Sequence, residues 1–265
     1  MKCGLIIIGD EILSGKRQDK HLPKTIELLA ARGMALSWAR YLGDDRDAIT
    51  AALREAFATG DLVFSCGGIG ATPDDHTRQC AAAALGVPLA LQPQAVALIH
   101  ERMRDVAREQ GVPFEPERSD NQHRLNMGNF PQGARIIPNP YNKIAGFSVA
   151  DVHFVPGFPV MAWPMIEWVL DTQYATLHGF GVQHERSIIV FGSMEATLTP
   201  LMEQVEAAHP GIKVFSLPCV DDQHEFGRHI DLGVKGRGEG LGAAYAALKR
   251  GLTQLAVRCG PETVR

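Results

Sequence analysis

The chain has no cysteine pair at C-x-x-C spacing, no apolar run long enough to cross a bilayer and no excess of basic charge. Its 5 cysteines, Cys3, Cys66, Cys80, Cys219 and Cys259, are scattered and odd in number. Neither a disulfide framework nor a zinc site is expected from them, and a reducing cytoplasm is. The first apolar run, residues 4–8, meets Asp10 and Glu11 at once and is too short for the apolar part of a signal peptide. Nothing approaches the roughly 20 apolar residues of a membrane span, so no membrane association is expected. A formal charge of −4 and a pI near 6.2 give no general attraction to polyanions, which argues against nucleic acid as a partner. With 45% hydrophobic and 21% charged residues over 265 positions, the chain is expected to fold as one large or two ordinary domains.

What is present centres on residues 61–77, D-L-V-F-S-C-G-G-I-G-A-T-P-D-D-H-T. A short apolar run bounded by Asp61 and Gly67 predicts a buried parallel strand. Gly67, Gly68 and Gly70 permit positive φ and lack Cβ, so their amides can approach an anion closely. Thr72 is expected as the cap and Pro73 as an early position of the following helix, whose N-terminus would favour phosphate. Asp74 and Asp75 would repel that phosphate. A divalent cation would reconcile them, with Thr72 and Thr77 as further ligands or hydrogen-bond donors. Alternatively, the two acids only complement the helix dipole.

Along the chain, residues 4–8 predict a first core strand that delivers Gly9, Asp10 and Glu11 to its carboxyl end, where ligands of open α/β sheets bind. Asp10 serves equally well as a cap. A helix over 22–32, a strand over 35–42 and a helix over 48–58 follow, the last capped from the Gly43-Asp44-Asp45-Arg46-Asp47 turn. Residues 94–110 predict another helix, 111–135 an irregular stretch, 135–138 and 152–155 short strands, and 161–170 a closing helix. Pro156 and Gly157 open a rigid loop at the end of the 152–155 strand. This β-α-β-α-β-α order predicts a three-layer α/β/α sandwich with a mostly parallel sheet over residues 1–172. A linker over 173–186 and a small α+β module over 187–265, in the order β-α-β-β-α, complete the expectation. In that module Asp221, Asp222, His224, Glu225, His229 and Asp231 offer metal-ligand types without a helical histidine pair, and read as an exposed loop. The glycines between 233 and 242 read as a flexible connection.

The blocks G-D-E-I-L-S-G at 9–15, G-D at 43–44 and G-G-I-G-A-T-P-D-D-H-T at 67–77, followed by V-P-G-F-P at 155–159, resemble the molybdopterin-binding family typified by the N-terminal part of competence/damage-inducible protein A. The module after residue 186 is similar to the KH-like module that follows in such proteins, and their amide-hydrolase domain is not expected here. The resemblance implies a MoaB/Mog-like fold and a site for a pterin or nucleotide phosphate. By the same resemblance, relatives include proteins that adenylylate molybdopterin and proteins that hydrolyse the pyrophosphate of ADP-ribose or FAD with a divalent metal. By position, the implied ligand site takes in Gly9, Glu11, Gly67, Gly68, Gly70, Thr72, Thr77, Pro156 and Gly157, with Asn139 and Gly146 from a loop similar to the family's N-x-x-G-T-A-P-G-F. Asp10, Asp74 and Asp75 become the implied catalytic residues and ligands for Mg²⁺, Mn²⁺ or Co²⁺. His21, Ala71, Asn142, Lys143, Ala145 and Met161 depart from the family's usual residues. The implied function is a metal-dependent nucleotide pyrophosphatase, with a non-catalytic carrier of molybdopterin or nucleotide as the alternative. A homo-oligomer is implied as well.

Overall fold

Strand β1 (Cys3–Ile8) divides its side chains between two cores: Cys3, Leu5 and Ile7 face one, Ile6 and Ile8 the other. That is the period of two for a strand covered on both faces. The computed structural model describes residues 1–179, 184–236, 238 and 240–264, in two units, Met1–Gly181 and Val182–Arg265.

In the first unit β1 is followed by α1 (Asp10–Leu13), α2 (His21–Ala30), β2 (Leu36–Leu42), α3 (Arg46–Thr59), β3 (Leu62–Cys66) and α4 (Thr77–Leu85). Next come β4 (Leu89–Leu91), α5 (Pro93–Gln110), α6 (Ser119–Leu125), β5 (Asn129–Pro131), β6 (Arg135–Ile137), β7 (Gly146–Val149), β8 (Val152–Val155) and α7 (Pro159–Gln173). The main sheet runs β2-β1-β3-β8-β7-β6. Its first four strands are parallel, and β7 and β6 close it antiparallel. Leu28 and Leu29 of α2 pack with Ile166 and Val169 of α7 on one face; Ile49 and Leu53 of α3 pack with Ala81 of α4 and Ala95 of α5 on the other. The three-layer α/β/α sandwich is therefore as expected. The parallel strands direct the ends of β1, β3 and β8 to one edge.

The second unit is β9 (His184–Phe191), α8 (Glu195–Ala208), β10 (Ile212–Cys219), β11 (His229–Gly236), α9 (Gly240–Gln254) and β12 (Arg258–Val264). Its sheet order, β10-β11-β9-β12, is antiparallel throughout, with α8 and α9 on one core. This is a split βαβ arrangement. Its two helices are separated by two strands, so no helix–turn–helix pair lies among its described residues.

Several expected boundaries move. The helix after the glycine turn starts at Thr77, not at Pro73, because the Asp75 side chain closes residues 72–75 into a separate turn. Residues 146–149 form strand β7, and 258–264 form β12, an exposed edge strand that accommodates Pro261 and Gly260. Of the expected linker, 175–177 form a 3₁₀ turn and 184–186 belong to β9, while 180–183 lie outside the described residues. Of the glycine-rich stretch, Gly233 and Gly236 belong to β11 and Gly240 and Gly242 to α9; Arg237 and Glu239 lie outside the described residues. Among the described residues no helix is long and apolar enough to cross a membrane.

A buried polar chain fastens β8 to the end of α7. The Tyr174 hydroxyl donates to Asp151 Oδ1 (2.6 Å), so it accepts from His153 Nε2 (2.8 Å), and Ser148 Oγ donates to His153 Nδ1 (2.8 Å). The ring of His153 is fully buried, and burial, with a smaller push from Arg135, pulls its pKa from 6.5 down to about 3. Between those values the unfolded chain binds a proton that the folded chain refuses. The stability His153 contributes as a neutral ring is thus complete above pH 6.5 and is lost as pH falls toward 3, by up to about 5 kcal/mol. Urea midpoints measured from pH 7 to pH 4 should show this loss, and His153→Gln, though weaker at pH 7, should have a flatter acid limb. Identical acid limbs in the two proteins would remove His153 as the cause. Tyr174→Phe, which leaves Nε2–H without its acceptor, should cost about 1–3 kcal/mol.

Candidate functional site

Three strand ends converge where β1, β3 and β8 leave the sheet. The Gly67 amide donates to Val155 O (3.0 Å), and a Cβ at Gly67 would lie 2.3 Å from Ile8 O, so the backbone passes where only glycine fits, at φ +107°. Gly68, at φ +68°, lies against Thr77, whose Oγ1 would be 2.1 Å from an added Cβ. Thr77 is fully buried: its hydroxyl donates to Gly67 O (3.1 Å) and its amide to Gly68 O (3.0 Å). It therefore braces the turn from behind instead of meeting a ligand.

Arg78 does more of the same work. Its guanidinium, only 4% exposed, donates from Nη2 to Gly70 O (2.6 Å) and from Nη1 to Ile69 O. Burial lowers its pKa while nearby Asp75 raises it, and an arginine stays charged through such a shift. A cation is thus fixed directly behind the turn. The amides of Gly68, Ile69, Gly70 and Ala71 have no acceptor among the described residues. Thr72 and Asp75 close the far end: the Thr72 amide donates to Asp75 Oδ2 (2.9 Å), its hydroxyl donates to the same oxygen, and the Asp75 amide donates to Thr72 O (3.0 Å).

The turn forms one wall of a cleft of about 450 Å³. Gly9, Glu11, Gly67, Gly68, Gly70, Thr72, Asp74, Asp75, Asn139, Pro156 and Gly157 all line it. Asp10 does not. Its Oδ1 accepts from the Asp44 amide (3.2 Å) while Asp44 Oδ2 accepts from the Asp10 amide (3.0 Å), a reciprocal tie between two loops. Through that tie Asp44, read from sequence as part of a solvated cap, takes the place in the cleft that Asp10 was expected to hold. Burial raises the Asp44 carboxyl above the ordinary range; the Asp10 amide lowers it, and the carboxylates of Asp10, Glu11 and Asp74 push it up again. Gly146 is not in the cleft either: it sits inside β7, where a Cβ would meet Phe154 O at 2.3 Å.

The opposite wall is mixed. Asn139 donates to Asn142 Oδ1 (2.8 Å) and Ile144 O (3.0 Å), and its own Oδ1 accepts from the Tyr141 amide (3.0 Å). Asn142 in turn reaches Met161 Sδ (3.4 Å). Met127, Ile144 and Met161 supply apolar surface. Arg17 lies over the half-exposed Phe158 ring, 5.8 Å from its centroid, at the rim. His21 is buried and donates from Nε2 to Gly157 O (3.0 Å), so it holds the β8 loop in place. Arg78 and Arg17 escaped the sequence reading because a lone arginine in a helix or loop reads as solvated; only the neighbouring glycines hint that a carbonyl-rich turn needs a donor.

Residues 4–176 match the family model described as "Probable molybdopterin binding domain", and the chain belongs to that family. A CinA-like protein of Anaeromyxobacter dehalogenans (strain 2CP-1) is 34% identical over 175 residues, 64% of this chain and 40% of that protein. A CinA-like protein of Geobacter metallireducens is 28% identical over 274 residues, spanning 100% of this chain and 61% of that protein. The chain thus spans about two fifths of the length of the first of these relatives. The solved structure of CinA, a protein with unknown function from Thermoplasma acidophilum, is 27% identical with a TM-score of 0.53, covering 64% of this chain and 98% of that one.

If Arg78 holds the turn, Arg78→Lys should cost about 1–3 kcal/mol, because one ammonium cannot reproduce the fork that spans two carbonyls. Amide exchange at residues 68–71 should quicken in the same variant. Unchanged stability and exchange would show that the turn stands without it.

Proposed function

We propose that the cleft binds the phosphate of a pterin or nucleotide on the amides of residues 68–71, and that the protein is a divalent-metal-dependent nucleotide pyrophosphatase acting on an ADP-ribose- or FAD-type anhydride. The observation that carries the reading is that one cleft is lined by both the open glycine turn and the carboxylates of Glu11, Asp44, Asp74 and Asp75. An anion cradle beside a ring of carboxylates is electrostatically balanced only with a cation between them. The donor set fits a hard ion such as Mg²⁺, Mn²⁺ or Co²⁺, since every candidate ligand atom is a carboxylate oxygen. Asp44, Asp74 and Glu11 would hold it; Asp10 positions Asp44, and Asp75 Oδ2 is already engaged with Thr72. When bound, such an ion polarises the phosphoryl oxygen and lowers the pKa of water. The turn amides, with Arg78 behind them, stabilise the charge that develops on the anhydride. Phe158 offers a flat apolar face for the heterocycle, and Arg17 a cation for the distal phosphate.

A second reading, a non-catalytic carrier of molybdopterin or nucleotide serving molybdenum cofactor biosynthesis, is favoured by the altered wall. Asn142 and Met161 are hydrogen-bonded to each other, and Asp75 is committed to its turn. The homo-oligomer belongs to either reading and is checked by light scattering.

Purified protein incubated with ADP-ribose, FAD and NAD under Mg²⁺, Mn²⁺ or Co²⁺ should release two monophosphates from one of them, detected by mass spectrometry. Asp44→Asn and Asp74→Ala should each lower that turnover by at least about 10²-fold, on the scale seen when a charge-stabilising group is removed. Their urea midpoints should barely move. Tight one-to-one binding with no product from any anhydride would establish the carrier instead.

A further inference from the structure

Outside the cleft, one group of three metal-ligating side chains converges among the described residues: Cys219, His224 and His229. One ligand atom from each lies within 4.8 Å of the other two. We infer that they form a binding site for a thiophilic divalent ion of the Zn²⁺ class, with three protein ligands and a fourth position open to solvent.

The placement follows from the hairpin. Cys219 closes β10 and His229 opens β11, and the two are directly paired in the antiparallel register. Side chains so paired lie on the same face about 5 Å apart. The loop of residues 220–228 then folds back through its own bonds: the Gln223 amide donates to Asp221 Oδ1 (2.8 Å), and the Gly227 amide to His224 O (2.7 Å). Arg228 pairs with Asp222 at 3.1 Å across the same loop. These contacts return His224 to His229, their ring centroids 4.7 Å apart, with Phe226 edge-on to His229 at 5.9 Å; the Phe226 amide donates to His224 Nδ1 (3.2 Å), a bond that His224 gives up on binding an ion. His229 is 8% exposed and donates from Nδ1 to Gly227 O (2.7 Å). That bond fixes its tautomer and leaves Nε2 with its lone pair free, the outer-sphere arrangement typical of a metal-bound imidazole. The spacing is C-x₄-H-x₄-H, and the Cys219 thiol would give its proton to solvent and bind as the thiolate. One sulfur and two imidazoles suit Zn²⁺ or Co²⁺ in tetrahedral geometry and do not suit Mg²⁺. Sequence reading noted His224 and His229 among four carboxylates and missed Cys219, whose adjacency depends on strand register.

Co²⁺ titrated into the full, untagged, reduced chain should give intense visible bands and a near-ultraviolet thiolate-to-cobalt charge-transfer band, saturating at one equivalent and reversed by Zn²⁺. Cys219→Ser should abolish the charge-transfer band. His224→Ala, a change in an exposed loop, should weaken Co²⁺ binding at least about tenfold with an unchanged far-ultraviolet circular dichroism spectrum. Cys259→Ser and Asp44→Asn should leave the band intact, which separates this site from the exposed thiol of Cys259 and from the cleft. No charge-transfer band, or one that survives Cys219→Ser, would overturn the assignment.

Discussion

The site exists because three strand ends can be brought into contact, and they can be brought into contact because glycine occupies the crossing points. Gly67 presses on the carbonyl of Ile8 and ties its amide to Val155, so the ends of β1, β3 and β8 share one small volume. Gly157 passes 3.5 Å from Gly67 Cα on the other side, measured from where its Cβ would stand. A side chain at Gly67 would push β3 off β1 at the point where the cleft begins. The cleft wall is thus an extension of sheet geometry, which makes it rigid without a ligand.

Rigidity alone would leave a carbonyl-rich turn with nothing to satisfy its interior face. Arg78 and Thr77, the first two residues of α4, resolve this by donating inward to Gly67, Ile69 and Gly70. With the carbonyls drawn back to the helix, the amides of residues 68–71, which line the cleft, are left without an acceptor among the described residues, and Arg78 adds positive potential from behind. The rim then carries the opposite sign in Glu11, Asp44 and Asp74. An anion alone meets repulsion at the rim, and a cation alone meets Arg17 and Arg78. That alternation of sign is the arrangement on which the proposed binding of a phosphate together with a cation rests.

Much of this was readable in advance, and the failures have identifiable causes. The buried strands β1, β3 and β8 are continuous apolar runs between turn residues, so their positions and their delivery of Gly9, Gly67 and Pro156 to one edge follow from the sequence. The start of α4 does not, because Thr72 and Pro73 carry the ordinary signature of a helix start, while the Thr72 amide bonds the Asp75 carboxylate and the Asp75 amide bonds the Thr72 carbonyl, which closes a separate turn ahead of the helix. β7 was hidden inside a motif-like loop, and β12 by its Pro261 and its exposure. At the site, the glycines announced themselves, whereas the exchange of Asp10 for Asp44 depends on two amide-to-carboxylate bonds between residues 34 apart in sequence. Long-range pairing of that kind has no local signature.

The two donor sets in the chain also sort metals by chemistry. The cleft's charged donors are the carboxylates of Glu11, Asp44, Asp74 and Asp75, a set suited to ions that keep much of their hydration; the β10–β11 hairpin presents one sulfur and two imidazoles. On the proposed assignments Mg²⁺ is therefore a probe of the cleft alone. Zn²⁺ at low concentration is a probe of the hairpin, since thiolate and imidazole outcompete carboxylate for it. Co²⁺ enters both, and stimulation of any activity by Co²⁺ carries no assignment until the hairpin is filled or Cys219 is replaced. The order of addition, Zn²⁺ first and Mg²⁺ second, makes the cleft's own dependence on a cation visible.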